Sequence, residues 1–336
     1  MTLMHDETRE APAAVARCLA QRQHFTAVAA RLRALDPSLV LVCARGSSGH
    51  AGTFLRYLLA RDLGLVAAAA MPSIASLYGR TQRLSGALFV AISQSGASPD
   101  LLRCAEAARA GGALCLAIVN APASPLAALC DLVIDIDAGP ERSVAATKTV
   151  LASLAAGLAL AAGWTGDAGM AHAAERLGDR LGQALELDWS PLVAALAPAD
   201  RMLSVGRGPG LAIAAEAALK LSEVAGLAGL AYSSAELAHG PRALAGPAMP
   251  ILGFVQRDAG RAATLALLDV LAQAGSPVRV AGGDGAHALP TLAPEHADAD
   301  LIAHLARFYL AAETVARARG HDPDHPPGLK KITETI

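Results

Sequence analysis

Short apolar runs that alternate with helical segments constrain the fold of this chain more than any other feature of its sequence. Residues 39–43 and 114–119 are apolar at every position and are bounded by turn residues, which is typical of strands buried on both faces. Helical segments, such as residues 99–110, separate these runs. The alternation predicts an α/β fold in which parallel sheets are covered by helices on both faces.

The second half of the chain repeats features of the first. Residues 203–208 form an apolar run closed by Arg-Gly, as residues 40–46 do, and the closing glycines Gly46 and Gly208 are 162 positions apart. An Ala-Gly pair recurs before a later run at an offset of 164. These offsets predict a duplicated α/β domain, although chance similarity between alanine-rich helices is the alternative. The predicted organisation is an N-terminal helical segment (1–30), a first domain (31–170), a helical linker (171–196), a second domain (197–322) and a C-terminal tail (323–336).

The composition excludes several classes of protein. Hydrophobic residues make up 53% of the 336 positions, so long disordered stretches are not expected. The chain has 28 Lys and Arg against 30 Asp and Glu, and only 3% of its residues are aromatic. It therefore lacks the basic surface and the stacking side chains of a nucleic-acid binder, and we predict no such partner.

Three features predict a cytoplasmic protein without membrane contact. The first ten residues carry acids where a signal peptide carries a basic region. The five cysteines form no C-x-x-C pair and lie mostly in apolar runs, as buried thiols of a reducing compartment do. Residues 149–166 are uncharged over 18 positions, the lower limit for a spanning helix, but no aromatic belt marks their start. They predict a helix buried inside a domain.

The segment Ser-Gln-Ser-Gly-Ala-Ser at residues 93–98 is the most informative local motif. Ser98 suits the N-cap and Pro99 the first turn of a helix, so backbone N–H groups at the helix start join three hydroxyls and an amide. These donors suit a phosphate monoester, although an ordinary polar loop is the alternative. A second Ser/Gly turn at residues 46–49 follows a neighbouring strand, and such turns line one crevice of a parallel sheet. The predicted phosphate-binding residues are Ser93, Gln94, Ser95 and Ser98.

Other phosphate-binding motifs do not fit. No Gly-Lys-Ser/Thr follows the segment at 93–98, which argues against a nucleotide triphosphate. The glycines Gly46, Gly49 and Gly52 have G-x-x-G-x-x-G spacing instead of the dinucleotide pattern, and no acid ends the next strand. The histidines near residue 323 lie in a proline-rich stretch that holds ligands poorly. We therefore predict neither a cofactor nor a metal.

A helical segment in the second half carries three charged residues on one face. Glu216, Lys220 and Glu223 are spaced i, i+4 and i+7. Such a pattern alone is most often a solvated ladder of ion pairs. His239 precedes a Gly-Pro turn, so it falls at a helix end or in a loop. An imidazole there both accepts and donates a proton near neutral pH, although a structural role is the alternative.

Six motifs in order resemble one family. Together they are similar to the double sugar-isomerase (SIS) domain that forms the isomerase half of glucosamine-6-phosphate synthase, from about residue 31 to the end of the chain. The resemblance implies two tandem flavodoxin-like parallel-sheet domains. The motifs are residues 46–48, 93–98, 143–148, 216–223, 236–241 and 329–331.

The resemblance also implies a role for each candidate residue. Glu223 moves a proton between C1 and C2 of a phosphosugar, and Lys220 stabilises the enediol-like intermediate. His239 opens the sugar ring from the neighbouring subunit, which implies a homodimer. Lys331, five residues from the end of the chain, forms a Schiff base with the open-chain ketose. Ser48 and Val144 complete the expected substrate-binding set, beside the phosphate-binding residues above.

Two departures from the family shape the expected reaction. Ala146 replaces a serine of the synthase, so one contact to a sugar hydroxyl is missing. No glutamine-hydrolysing domain precedes residue 31, so we expect the reaction to run as a deamination. The expected activity converts glucosamine 6-phosphate and water to fructose 6-phosphate and ammonia. The alternatives are a deglycase or isomerase for another modified sugar phosphate, and a non-catalytic phosphosugar-binding regulator.

Overall fold

The computed structural model describes residues 1–331, so the last five residues of the tail predicted at 323–336 lie outside the described residues. The helices in residues 1–331 are α1 Leu3–Ala20, α2 Arg22–Leu35, α3 Gly46–Leu63, α4 Pro72–Ser76, α5 Pro99–Ala110, α6 Pro125–Leu129, α7 Lys148–Thr165, α8 Ala168–Leu185, α9 Ser190–Leu196, α10 Pro209–Ala225, α11 Ser234–Ala238, α12 Arg261–Gln273 and α13 Ala297–Ala318. The strands are β1 Leu39–Cys43, β2 Val66–Ala69, β3 Leu88–Ser93, β4 Leu114–Val119, β5 Leu132–Asp135, β6 Arg201–Gly206, β7 Ala228–Ser233, β8 Ile251–Phe254 and β9 Val278–Ala281.

The chain divides into two compact units, each with one sheet. The five-stranded unit contains Ala13–Glu141, Ala152–Glu175, Lys330 and Lys331. The four-stranded unit contains Met1–Pro12, Arg142–Leu151 and Arg176–Leu329. The domain boundaries expected from the sequence repeat stay predictions.

All strands of the five-stranded sheet are parallel, in the order β2-β1-β3-β4-β5. Every residue of β3 is buried, because strands on both sides and helices on both faces cover it. Leu88 of β3 pairs with Val40 of β1 and with Leu114 of β4. The chain connection changes direction between β1 and β3, so the carboxyl ends of these two strands border a crevice where open α/β sheets bind ligands.

The four-stranded sheet has the corresponding order β7-β6-β8-β9, and all its strands are parallel. Leu203 of β6 pairs with Leu230 and with Ile251, and its side chain is fully buried. The two sheets confirm the predicted α/β class and its parallel sheets. The runs predicted at 39–43 and 114–119 are strands with these bounds, and the helix predicted at 99–110 is α5.

Helix α7 contains most of the uncharged stretch noted in the sequence. It is long and apolar enough to cross a membrane by length and composition, but 83% of its residues are buried inside the protein. This burial agrees with the interpretation of a core helix, since a lipid-facing helix exposes its apolar side chains.

One buried histidine is expected to make the stability of the four-stranded unit depend on pH. His304 of α13 is 7% exposed, and burial, together with the charge of Arg180, lowers the pKa of its imidazole to about 4. The unfolded chain, in which histidine titrates near pH 6.5, therefore binds more protons between these values. We expect the free energy of unfolding to fall by about 3 kcal/mol on this account as the pH drops from 7 to 4.

Denaturant unfolding across this pH range checks the expectation. His304→Gln removes the titrating group and should flatten the profile, whereas His287→Gln, at a half-buried position of the same unit, should leave its slope unchanged. An unaltered slope in His304→Gln would show that another group carries the pH dependence.

Candidate functional site

The turn after β3 folds onto its own hydroxyls. The Ser93 Oγ accepts the N–H of Gly96 at 3.0 Å, and the Ser95 Oγ accepts the N–H of Ala97 at 3.3 Å. Each hydroxyl keeps its own hydrogen as a donor, because it uses only a lone pair in the turn. Ser98 precedes α5 as its N-cap, with extended backbone, as the sequence predicts. Gln94, Ser95 and Ser98 are half-buried. The turn is therefore a preformed set of donors at the start of a helix.

An ion pair joins this turn to the one after β1. The Arg45 Nε donates to the Asp100 Oδ2 at 2.7 Å, and the Asp100 side chain is fully buried. Arg45 immediately precedes α3, whose first turn contains the half-buried Ser48. This pair was not predicted from the sequence, although opposite charges next to two predicted turns were a usable signal. It brings Ser48 and the donors after β3 together at the carboxyl edge of one sheet.

Gly96 is the position where this turn tolerates a substitution least. Its φ is +61°, and a Cβ built there would lie 2.1 Å from the Oγ of Ser124. Ser124 is the N-cap of α6 and accepts the N–H of Ala127, so moving it removes a cap. We expect Gly96→Ala to weaken binding of inorganic phosphate at least about tenfold, the equivalent of roughly 1.4 kcal/mol.

Calorimetric titration with phosphate measures this effect. Gly86→Ala is the matched control, because Gly86 also has a positive φ in the five-stranded unit but has nothing within 4 Å of the added Cβ. Equal affinities of Gly96→Ala and Gly86→Ala for phosphate would contradict a binding role for the turn.

Helix α10 of the four-stranded unit brings the predicted acid and base residues together. The Lys220 Nζ lies 2.8 Å from the Oε2 of Glu223 and 3.6 Å from the Oε1 of Glu216. The side chains of Lys220 and Glu216 are 0% and 1% exposed, whereas that of Glu223 is 23% exposed. A solvated ladder of ion pairs is therefore excluded, and Glu223 is the carboxylate of this cluster with the most access to solvent.

Tyr309 is part of this cluster and was not found from the sequence. Its hydroxyl donates to the Glu216 Oε1 at 2.9 Å, and the Lys220 Nζ lies 6.0 Å from the centre of its ring. Tyr309 is fully buried on α13, which no local motif links to α10. Tyr309 and Lys220 both contact Glu216. These contacts fix the Glu216 carboxylate next to the ion pair of Lys220 and Glu223.

Three predicted site residues lie outside the turn after β3 and outside the α10 cluster. His239 is exposed and directly follows α11, so it falls at a helix end as expected. Val144 is half-buried and belongs to the four-stranded unit. It lies in the segment that precedes α7. Lys331 belongs to the five-stranded unit, where its Nζ lies 3.0 Å from the Oε2 of Glu141. Within residues 1–331, no cluster of three or more His, Cys, Asp or Glu side chains is arranged to hold a metal ion.

The four-stranded unit contains an altered copy of residues 93–98, the predicted phosphate turn. Residues 256–260 lie between β8 and α12, as residues 94–98 lie between β3 and α5, and the offset is again 162. Asp258 stands where the first copy has Gly96. Its Oδ1 accepts the N–H of Gly260 at 2.8 Å, and its Oδ2 accepts from the Gln256 amide. The Asp258 carboxylate thus accepts the N–H of the residue that precedes α12, whereas the first copy has a glycine at the matching position.

Comparisons with known proteins show the family of this chain. The SIS domain profile matches residues 36–163 and 195–286. Glutamine–fructose-6-phosphate aminotransferase (isomerizing) from Zymomonas mobilis is 30% identical over 98% of this chain, which spans 58% of that protein. The chain thus covers little more than half the length of this curated relative.

Two solved structures are similar over nearly the whole chain. A Silicibacter pomeroyi protein, provisionally named a phosphosugar isomerase, has 42% identity and a TM-score of 0.91, covering 96% of this chain and 100% of that one. The C-terminal domain of glucosamine-fructose-6-phosphate aminotransferase from Francisella tularensis has 25% identity and a TM-score of 0.85, covering 97% and 98%. With two matched segments, two parallel sheets and relatives of this kind, the chain belongs to the SIS-domain family of phosphosugar isomerases.

Proposed function

We propose that this chain is an aminosugar-6-phosphate deaminase and aldose–ketose isomerase that acts on glucosamine 6-phosphate. The observation that carries the proposal is the α10 cluster, where the partly exposed Glu223 carboxylate lies 2.8 Å from the fully buried Lys220 ammonium. A carboxylate with some access to solvent and a fixed cation beside it suits proton abstraction next to a carbonyl.

Each candidate residue has a step in the proposed reaction. Ser93, Gln94, Ser95 and Ser98, with Ser48, bind the phosphate, and Val144 contacts the sugar. His239 opens the ring by moving a proton between the ring oxygen and the C1 hydroxyl. Glu223 then removes the proton from C2 and returns it to C1, while Lys220 stabilises the negative charge that develops on oxygen. For an amino sugar the product is a 2-imino ketose, which water hydrolyses to the ketose and ammonia. Lys331 holds the open-chain ketose as a Schiff base.

The state of the cysteines supports deamination as the direction for this chain acting alone. Making ammonia from glutamine by thiol chemistry needs an accessible, activated cysteine. Burial raises the pKa of Cys18 and of Cys130 to about 12 and that of Cys115 to about 11. The hydrogen bond between Cys43 and Cys104 raises the pKa of Cys43 and lowers that of Cys104, and both thiols are buried.

The exposure of His239 supports the proposed homodimer. An imidazole at the end of α11 that lies on the surface of one chain is available to complete the site of a second chain. We expect the active form to be at least a dimer, and the cytoplasmic location stays a prediction.

Product analysis tests the proposed function. The purified protein is incubated with glucosamine 6-phosphate, and ammonia and fructose 6-phosphate are measured against a reaction without enzyme. Equimolar release of both is expected. Absence of both over hours overturns the proposal, and binding without turnover would favour the regulator.

A second candidate is a deglycase or isomerase for another modified sugar phosphate. Ala146 favours it, because the half-buried methyl group replaces a hydroxyl expected to contact the sugar. The same assay with acylated and amino-acid-linked sugar phosphates distinguishes the two: the preferred substrate is the one with the highest kcat/KM.

A further inference from the structure

The carboxylate of Glu141 forms an ion pair with Lys331, the last lysine of the chain. The Lys331 Nζ lies 3.0 Å from the Glu141 Oε2. The Glu141 side chain is 0% exposed and that of Lys331 is 23% exposed. A fully buried carboxylate is costly to desolvate unless a charged donor contacts it, so this ion pair favours a defined position of Lys331.

The segment before Glu141 is fixed to a defined edge of the five-stranded sheet. Asn120 directly follows β4; its Nδ2 donates to the carbonyl of Gly139, and its Oδ1 accepts the N–H of Ala138, both at 2.8 Å. Asn120 therefore holds this segment at the carboxyl end of β4. The phosphate turn leaves the carboxyl end of the adjacent β3, so Glu141 and the phosphate turn share one edge of one sheet.

We propose that Glu141 is the positioning residue of Lys331: it holds the lysine at the substrate edge of the five-stranded sheet and exchanges a proton with it. The inference rests on the proposed function, in which Lys331 bonds to the open-chain ketose. In this arrangement Glu141 of the same chain binds Lys331.

The proton exchange gives a balanced step. The Lys331 ammonium transfers a proton to the Glu141 carboxylate, and the resulting amine attacks the C2 carbonyl of the ketose to form a C–N bond. The proton released by the nitrogen moves to the carbonyl oxygen, which gives a neutral carbinolamine. Glu141 then returns its proton to the C2 hydroxyl, which leaves as water. The products are a protonated imine, a carboxylate and one water, so charge and atoms balance.

A double-mutant cycle in the full chain tests the inference. In Glu141→Gln we expect kcat for glucosamine 6-phosphate to fall at least tenfold with KM nearly unchanged, because the phosphate turn is intact. Lys331→Met should lower kcat by a similar or larger factor. Since Glu141 acts through Lys331, the double variant should be no slower than Lys331→Met alone, and Glu141→Asp should recover part of the activity. Additive losses would overturn the inference.

Chemical trapping separates this inference from the proposed function. Wild-type protein is treated with fructose 6-phosphate and cyanoborohydride, and the modified residue is located by peptide mass spectrometry. No adduct on Lys331 in the wild type would contradict the proposed role of the lysine itself. An adduct in the wild type that forms at the same rate in Glu141→Gln would overturn only the inference about Glu141.

Folding and charge are controlled within the same experiment. Glu106→Gln changes an exposed glutamate on α5 of the same unit and should leave both kcat and trapping unchanged. Circular dichroism of each variant confirms the fold. If Glu141→Gln does not fold, the trapping rate of Glu141→Asp tests the inference, with Lys331→Met as the variant that lacks the trapped amine. Folded Glu141→Asp is expected to be trapped more slowly than the wild type. An unchanged rate would overturn the inference.

Discussion

Glu223→Gln is expected to lower kcat for glucosamine 6-phosphate by about 10³-fold or more, which is within the range for loss of a general base. Glutamine keeps the shape of the side chain, and its carbonyl oxygen still accepts a hydrogen bond from the Lys220 Nζ, which lies 2.8 Å from the carboxylate. It has no basic oxygen to take the C2 proton. The affinity for phosphosugar should therefore change little, since the proposed phosphate site is the turn after β3.

Steady-state kinetics and calorimetry with fructose 6-phosphate measure the two quantities separately. Asp269→Asn, an exposed acid on α12 of the same unit, is the control for loss of one negative charge and should have wild-type kinetics. Wild-type turnover in Glu223→Gln would remove Glu223 as the base. A loss of binding equal to the loss of turnover would indicate a structural role.

Lys220→Met is expected to lower both stability and turnover. The Lys220 ammonium is fully buried between the carboxylates of Glu216 and Glu223, and its removal takes a cation away from the buried Glu216. Removing one partner of a buried pair costs about 3–5 kcal/mol of unfolding free energy. Turnover should fall together with stability, because the charge of the intermediate loses its counter-ion.

A second substitution separates the two effects of Lys220→Met. Glu216→Gln in the same chain removes the buried negative charge and keeps the hydrogen bond from the Tyr309 hydroxyl, which lies 2.9 Å from Glu216 in the wild type. We expect Lys220→Met/Glu216→Gln to regain stability in denaturant unfolding but not activity. Recovered activity would show that Lys220 acts only by supporting the fold.

The fold was largely predictable because its signals are local. Residues 39–43 and 114–119 are apolar and turn-bounded, and a strand buried on both faces requires that pattern. The start of α5 was marked by Ser98 and Pro99, whose preferences act within one turn of helix. The spacing of Glu216, Lys220 and Glu223 placed them on one helix face, and in the structure they are in contact.

The parts of the site that were missed depend on contacts between residues distant in sequence. Tyr309 lies 93 residues from Glu216, and nothing in the sequence near either residue indicates their hydrogen bond. Asp100 lies in the first turn of α5, and Arg45 is its partner because β1 and β3 are neighbours in the sheet. Burial also had to be observed: the same Glu/Lys/Glu spacing on a surface helix would be a ladder of weak ion pairs.

The carboxylate of Asp258 affects the number of phosphorylated ligands that one chain is expected to bind. The two sheets have corresponding strand orders, but in the four-stranded unit the Asp258 carboxylate accepts the N–H of Gly260 at the turn that corresponds to residues 94–98. If the phosphate binds as proposed, a single chain should therefore saturate at one equivalent of phosphorylated ligand. In the proposed function the two similar units then have different roles: the five-stranded unit binds the phosphate, and α10 of the four-stranded unit moves protons.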